Sequence, residues 1–412
     1  MSPRKQCRPA EPLTRRHRKG TTRGAADGIN TAFCRGLVRK LTPENYLPPA
    51  ADSWSRCQPA SLGLNEARLH RAVEFACQHE SNWLYDLSEQ KAIAGSEPPP
   101  WNEILGPLKP RGGPAGLIIR HGQIAMSWGD IERVDPTFSA TKSYIGLCAA
   151  VAYRDGLIKS FDDQVSEYHG FKEFSSGHNK AITWRHLLQQ TSEWEGTLWS
   201  KPDQVDRNRQ VGPDANDSQK GQARQLTEPG GYWEYNDVRV NLAALCLTRL
   251  FEASLSDVLR KNIMDPIDAS HSWEWYGYRN SYIEIKGRSV QSVSGGAHWG
   301  GGLWISSLDH ARMGLLISRQ GRWGNVEILP EHCLDTLFTP CPLNLNYGFL
   351  WWLNSNRSLF AGAGESSVFA YGAGANYVWI DPDFDLVVVV RWIDAGSMND
   401  FTALVMESIV RP

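Results

Sequence analysis

The longest run of apolar positions in the chain is Tyr144-Ile145-Gly146-Leu147-Cys148-Ala149-Ala150-Val151-Ala152-Tyr153. A stretch of this length without a charge or a polar face predicts a helix buried on all sides. Upstream, Gly116-Leu117-Ile118-Ile119-Arg120 and Ile124-Ala125-Met126-Ser127-Trp128-Gly129 flank His121-Gly122-Gln123 and predict a β-hairpin. Leu64, Leu69, Val73, Phe75 and Ala76 follow helical spacing within 60–80, with Ser61 or Asn65 as cap. Thr183 reads as the N-cap of a helix starting Trp184-Arg185-His186-Leu187-Leu188-Gln189, and apolar periodicity predicts another helix over 236–250. Near the end, Asn376-Tyr377-Val378-Trp379-Ile380 and Leu386-Val387-Val388-Val389-Val390-Arg391-Trp392 predict strands joined by a turn at 381–385, and 397–410 predicts a closing helix.

Between these elements, 96–114 is rich in Pro and Gly and predicts loop. Residues 200–229 form a long polar excursion expected to border a cleft. Strands near both ends with helices between them predict an α+β fold. One mainly antiparallel sheet is built from both chain ends and flanked by helices, with a mostly helical lobe inserted over approximately 155–290. Residues 46–412 are expected to form one catalytic unit of two lobes.

Residues 1–45 differ from the rest. Between Arg4 and Lys40 there are 11 Lys and Arg against Glu11 and Asp27, which reads as a disordered basic tail. Arg15-Arg16 suggests an export signal, but no apolar core follows it. An organelle-targeting peptide and an upstream extension of the true start both remain open. The net charge is −2, so the body has no bulk attraction for nucleic acid or anionic membrane. No 18-residue apolar run predicts a membrane span. Eight cysteines (Cys7, Cys34, Cys57, Cys77, Cys148, Cys246, Cys333, Cys341) show neither zinc-site spacing nor a disulfide framework. Cys148 and Cys246 read as buried thiols. This usage favours a reducing compartment, and a cytoplasmic location is the expectation. The 17 Trp are expected mainly in the core.

Ser139-Ala140-Thr141-Lys142 opens the buried helix. A serine and a lysine three apart lie on one helical face. A hydroxyl becomes a competent nucleophile when a neighbouring amine takes its proton. The unpaired N–H groups and partial positive charge of the helix start also favour a developing oxyanion. The alternative is plainer: Ser139 as an N-cap, with Lys142 exposed in the first turn.

Four ordered segments carry a resemblance. They are Ser139-Ala140-Thr141-Lys142; Ile182-Thr183-Trp184-Arg185-His186-Leu187-Leu188 with Gln190-Thr191-Ser192; Tyr232-Trp233-Glu234-Tyr235-Asn236-Asp237; and Gly301-Gly302-Leu303-Trp304-Ile305-Ser306-Ser307-Leu308-Asp309, followed by the final hairpin. Over about residues 60 to 412 the chain resembles the serine β-lactamase-like family, which includes class C β-lactamases, D-Ala-D-Ala peptidases, esterases and aminohexanoate-oligomer hydrolases. The resemblance implies a β-lactamase/transpeptidase-like fold, Ser139 as acylated nucleophile, Lys142 as its proton partner, and Tyr235 sharing the proton work. His186 falls in a packing motif and is expected to be structural. His298-Trp299 is expected either to line the cleft or to make a simple loop contact.

Two departures from the family pattern change the chemistry. Asp237 stands where the Tyr-x-Asn motif has asparagine, with Asn236 in the middle. An ionised aspartate only accepts hydrogen bonds, and beside Lys142 it would favour the charged ammonium, leaving Tyr235 to take the Ser139 proton. The family's last motif falls on Ala370-Tyr371-Gly372, so its cation is absent. That absence argues against an efficient β-lactamase and for a neutral or apolar acyl group, with Arg239 or Arg279 as other contacts for a carboxylate. The N–H of Ala373, between Gly372 and Gly374, is expected to pair with that of Ser139 as an oxyanion hole.

The expectation is therefore a serine hydrolase acting through an acyl-enzyme on an ester or amide of a small molecule, without metal or cofactor. The wider substrate-binding set is Ala373, Gly372, Gly374, Asp237, Asn236, His298 and Trp299. An inactive relative serving as a binding module, or a tail-driven association with nucleic acid or an anionic surface, are the alternatives. The sequence leaves the oligomeric state open.

Overall fold

The Val387–Val390 run forms a strand because β-branched side chains pack well on a pleated sheet, and here both faces of that sheet are covered. In a computed structural model, residues 46–49, 54–91, 93, 97–168, 170–211 and 217–410 are described. The expected basic tail at 1–45 lies outside them. In chain order the principal elements are α1 (Glu66–Gln78), β1 (Ala115–Arg120), β2 (Gln123–Trp128), β3 (Asp135–Pro136), α2 (Thr141–Arg154), α3 (Trp184–Leu188) and α4 (Asp237–Phe251). After these come β4 (Glu274–Ile285), β5 (Arg288–Val293), β6 (Gly302–Ile305), α5 (Ser307–Ser318), β7 (Trp352–Leu353), β8 (Val368–Gly372), β9 (Asn376–Asp381), β10 (Leu386–Arg391) and α6 (Met398–Glu407).

The main sheet is antiparallel with order β7-β8-β9-β10-β1-β2, so both chain ends contribute to it. The α+β expectation is borne out. Pairing of Leu117 with Val389 and of Ile118 with Val388 sets the register. Alternate residues then face opposite cores. Leu117, Ile119, Val387 and Val389 pack with α2 and α5, whereas Ile118, Val388 and Val390 pack with α1 and α6. Each large apolar side chain buried in these layers contributes roughly 1.5–3 kcal/mol. At the α5 contact, a Cβ on Gly314 would stand 2.6 Å from Val387 Cγ1, so helix and sheet approach closely there.

Residues 141–152 of α2 are all buried, which explains a helix with no polar face. Asn65 caps α1 and Thr183 caps α3; His186 completes the Thr183 capping box and has the structural role expected of it. Cys148 and Cys246 are buried, and burial pushes both thiols up.

The extent of the helical lobe needs correction. The lobe does not continue to 290: β4 and β5 form a hairpin over 274–293, part of a second antiparallel sheet ordered β3-β6-β4-β5. Its polar stretch Arg279-Asn280-Ser281 interrupts the alternation of aromatic residues, and the register shifts between Gly277 and Tyr282. That irregularity concealed the strand signal. This sheet matters for the site, because β6 pairs with β3 immediately before Ser139. Among the described residues no helix is long and apolar enough to cross a membrane.

Candidate active site

Ser139 lies in a 3₁₀ turn, Phe138–Ala140, that leads into α2. Phe138 has φ of 48°, a left-handed conformation that costs roughly 1–3 kcal/mol for a non-glycine residue. Packing holds it there: the Phe138 ring meets Trp83 at 4.9 Å and Trp392 at 6.2 Å between centroids. On the other side, His310 bridges Thr137 Oγ1 and Tyr144 OH, each at 2.8 Å. Burial, aided by Arg391, lowers the His310 pKa well below the usual range, so this bridge is neutral. The Ser139 turn is thus clamped on both flanks.

Lys142 Nζ donates to Ser139 Oγ at 2.8 Å. The lysine side chain is 1% exposed, and the Ser139 hydroxyl receives this bond instead of capping the helix. Ser139 as a cap beside an exposed lysine is therefore ruled out. The same Nζ forms a buried ion pair with Asp237 Oδ1 and lies 4.8 Å from the centroid of the Tyr235 ring. Tyr235 is buried and stacks on Trp352 at 6.0 Å, with Tyr347 edge-on at 6.3 Å. Serine, lysine, tyrosine and aspartate thus converge.

Gly296 forms one wall of this group. A Cβ there would stand 2.5 Å from Lys142 Nζ, 2.9 Å from Asp237 Oδ1 and 3.3 Å from Ser139 Oγ. Sequence reading missed it, although the Gly295-Gly296 pair before His298 was a signal of close backbone approach.

Asp237 begins α4, where the helix dipole favours a carboxylate, and its N–H donates to Asp206 Oδ2 at 2.8 Å. Burial opposes its ionisation. The Lys142 ammonium and the Arg209 guanidinium, with a smaller pull from His298, outweigh burial and hold the carboxyl well below the usual carboxylate range. Arg209, Asp206 and Lys220 all come from the polar 200–229 excursion, which borders the site as expected. No motif marks these residues in the sequence.

On the opposite side, β8 runs beside the Ser139 turn. A Cβ on Gly372 would lie 2.0 Å from the Thr137 carbonyl oxygen and 3.0 Å from the Ala140 nitrogen. Strand and turn touch backbone to backbone, which only glycine permits. Ala373 follows, with its carbonyl accepting from Asn376 Nδ2 at 2.8 Å and its side chain packed with Phe138 and Trp392. Gly374 has φ of 72° in the hairpin turn, and a Cβ there would meet the Trp392 ring at 2.4 Å, so its role is to turn the chain. Ala370 is fully buried opposite Val378, so no cation stands at that position.

Three expected substrate contacts are placed elsewhere. Asn236 Oδ1 caps α4 by accepting from Val238 N and Arg239 N, and its Nδ2 donates to Asp203 O at 2.9 Å. The N-cap requirement of α4 takes this side chain away from the cleft. Trp299 is wholly buried, edge-on to Tyr278 with Lys201 Nζ 5.1 Å from its ring centroid; it is core, not cleft. His298 is near the site but turned to Glu97, with Nε2 2.6 Å from Glu97 Oε1 and 3.2 Å from Lys220 Nζ. Burial raises the Glu97 carboxyl, but His298 and Lys220 outweigh it and bring Glu97 down to about 2. The two arginines considered for a substrate carboxylate are also engaged. Arg239 is buried among Glu193, Asp203 and Glu234, and Arg279 pairs with Glu103.

Glu97, Asp206 and His298 bring ligand atoms within 4.8 Å of one another, a spacing that suits a cation. The Lys220 ammonium contacts all three. It already supplies the positive charge that a metal would.

A serine hydroxyl bonded to a buried lysine, with a tyrosine ring beside that lysine, makes up the serine–lysine centre of the candidate site. The family model described as Beta-lactamase matches residues 132–403, a span that includes every member of this centre, and the chain belongs to that family. Its fold is similar to that of a putative beta-lactamase from Bacteroides dorei DSM 17855, with a TM-score of 0.52, 16% identity, and 73% of this chain and 94% of that one covered. A family VIII carboxylesterase gives a TM-score of 0.53 at 14% identity, covering 72% and 93%. In sequence the chain is similar to Protein flp of Staphylococcus aureus (strain MRSA252), 23% identical over 168 residues that make up 38% of this chain. The match spans 33% of the length of that relative.

Proposed function

We propose that this protein is a serine hydrolase that cleaves an ester or amide of a small molecule through an acyl-enzyme at Ser139. The observation that carries this reading is the 2.8 Å bond from Lys142 Nζ to Ser139 Oγ inside a buried pocket of charge. With Asp237 ionised against it, Lys142 acts as an ammonium that orients the hydroxyl. Tyr235, as a phenolate beside that ammonium, then takes the Ser139 proton as Oγ attacks the carbonyl carbon. The tetrahedral oxyanion rests on the N–H groups of Ser139 and Ala373. Collapse expels the leaving group, which takes the proton back from Tyr235. Water then adds to the acyl-enzyme by the same relay and frees the acid and Ser139.

The buried Ala370 and the aromatic neighbours of Tyr235 support a neutral or apolar acyl group, as does the engagement of Arg239 and Arg279 elsewhere. A panel of p-nitrophenyl esters, nitrocefin and D-amino-acid amides tests this. Neutral esters are expected to turn over faster than nitrocefin, and the reverse order would remove the assignment of acyl group.

The Asp237–Lys142 coupling has its own test. Asp237→Asn removes the negative charge that Lys142 and Arg209 share, and breaking a buried pair in this way costs about 3–5 kcal/mol of stability. Because the folded carboxyl is depressed, its contribution to stability is present at neutral pH. It is lost as pH falls below the usual carboxylate range. Asp237→Asn is expected to lower the melting temperature at pH 7, flatten that acid-side loss and alter the rate–pH profile. An unchanged profile would refute the coupling.

A further inference from the structure

The hydrolase reading leaves unexplained why a long polar excursion reaches in beneath a catalytic centre. Arg209 lies on that excursion with its side chain 15% exposed. Its Nη1 is 2.5 Å from Asp237 Oδ2 and 3.4 Å from Asp206 Oδ2. Asp206 is itself fully buried and pairs through Oδ1 with Lys220 Nζ at 3.2 Å, and Lys220 pairs in turn with Glu97. From the nucleophile outward the charges alternate: Lys142, Asp237, Arg209, Asp206, Lys220, Glu97. Three cations cancel three anions. In a buried chain of this kind, deleting one member leaves an uncompensated charge that its neighbours must absorb.

We propose that Arg209 is a positioning residue for the acyl transfer, its guanidinium fixing one oxygen of Asp237 so that the other stays on Lys142 and the ammonium stays on Ser139. The inference rests on the hydrolase reading above. A carboxylate has two oxygens and can rotate between partners. Here each oxygen has a cation of its own, Lys142 on Oδ1 and Arg209 on Oδ2. The backbone N–H of Asp237 is held as well, by Asp206. Without Arg209 the carboxylate is free to turn, and the hydroxyl-to-ammonium geometry loses its outer support. Burial opposes the Arg209 charge, but Asp237 and Asp206 outweigh it and keep the guanidinium protonated. Around Asp237 stand Lys142 from α2, Arg209 and Asp206 from the excursion, and His298 from the loop after β5. Tyr235, Tyr278 from β4 and Tyr347 complete its surroundings, with Lys220 and Glu97 one step further out.

A residue that only secured the excursion would affect stability and leave the kinetics of folded enzyme unchanged. The test therefore compares wild type, Arg209→Met and Arg209→Lys by steady-state ester turnover across pH and by the rate of fluorophosphonate labelling at Ser139. Arg209→Met is expected to lower kcat and the labelling rate roughly 10–100-fold, the scale of a misplaced catalytic group. KM is expected to stay within about twofold. The acid limb of the profile is expected to move to higher pH, because Asp237 has lost a cation that keeps it ionised. Arg209→Lys, which keeps the charge, is expected to recover most of the rate. On an Asp237→Asn background, Arg209→Met is expected to add little, since the oxygen it held has gone.

An Arg209→Met enzyme with wild-type kcat and pH profile overturns the proposal, as does a full additional loss on the Asp237→Asn background. Should Arg209→Met alone fail to fold, the double variant, whose net charge matches wild type, decides by the same comparison with Asp237→Asn. A wild type that takes no label at Ser139 overturns the hydrolase reading and this proposal with it. A labelled wild type beside an indifferent Arg209→Met overturns the proposal alone.

Discussion

Ser139→Ala is expected to reduce ester turnover by roughly 10⁴–10⁶-fold, the range seen when the nucleophile of a cooperating catalytic unit is deleted. The argument is geometric. Ser139 Oγ is the atom to which Lys142 donates, and the residues around it are arranged for that hydroxyl. Lys142 and Asp237 are almost fully buried and balance one another's charge, and the left-handed Phe138 is locked by Trp83 and Trp392. Removing a single oxygen takes the reacting atom away and leaves this frame in place. The lost hydrogen bond costs about 0.5–1.5 kcal/mol of stability, so the variant remains folded. Turnover and thermal melting measured together separate the two effects. A folded Ser139→Ala enzyme with activity within tenfold of wild type would remove Ser139 as nucleophile.

Gly372→Ala is expected to be the next most damaging change. The added Cβ would sit 2.0 Å from the Thr137 carbonyl oxygen and 3.0 Å from the Ala140 nitrogen. Both obstacles are backbone, so no rotamer relieves the clash. The end of β8 must withdraw from the nucleophile turn, carrying the Ala373 N–H with it. In the proposed mechanism that N–H is an oxyanion donor, and withdrawing one from its position costs about 10²–10³ in kcat. The expected pattern is a fall in kcat of that order with KM less affected. Gly177→Ala is the control, since a Cβ there meets nothing within 4 Å. It is expected to leave kcat unchanged. Wild-type kcat in Gly372→Ala would dissociate β8 from the oxyanion.

Much of the architecture was legible in the chain because its signals were local. The β-branched run across 386–391, the apolar run of α2 and the Asn65 and Thr183 caps each sit within a few residues of the element they define. Ser139, Lys142, Tyr235 and Asp237 were legible for the same reason: two short motifs contain them. The β4–β5 hairpin was not, because polar residues at the register shift broke its periodicity. Trp299 and Asn236 were misassigned because neighbours in sequence need not point the same way. One enters the core beside Tyr278, and the other caps α4. Arg209, Asp206, Lys220 and Glu97 carried no signal at all. The Arg209–Asp237 and Lys220–Glu97 contacts span 28 and 123 positions, and only the folded chain brings these charges together.

The clamped turn and the alternating charges share one claim, that the Ser139 hydroxyl is an activated nucleophile. Intact-mass spectrometry of the protein after exposure to a fluorophosphonate tests it most directly, with peptide mapping of the product. One covalent adduct per chain, mapped to Ser139 and absent from Ser139→Ala, is the predicted result. A folded wild-type protein that stays at its unmodified mass, or carries the adduct on another residue, would contradict it.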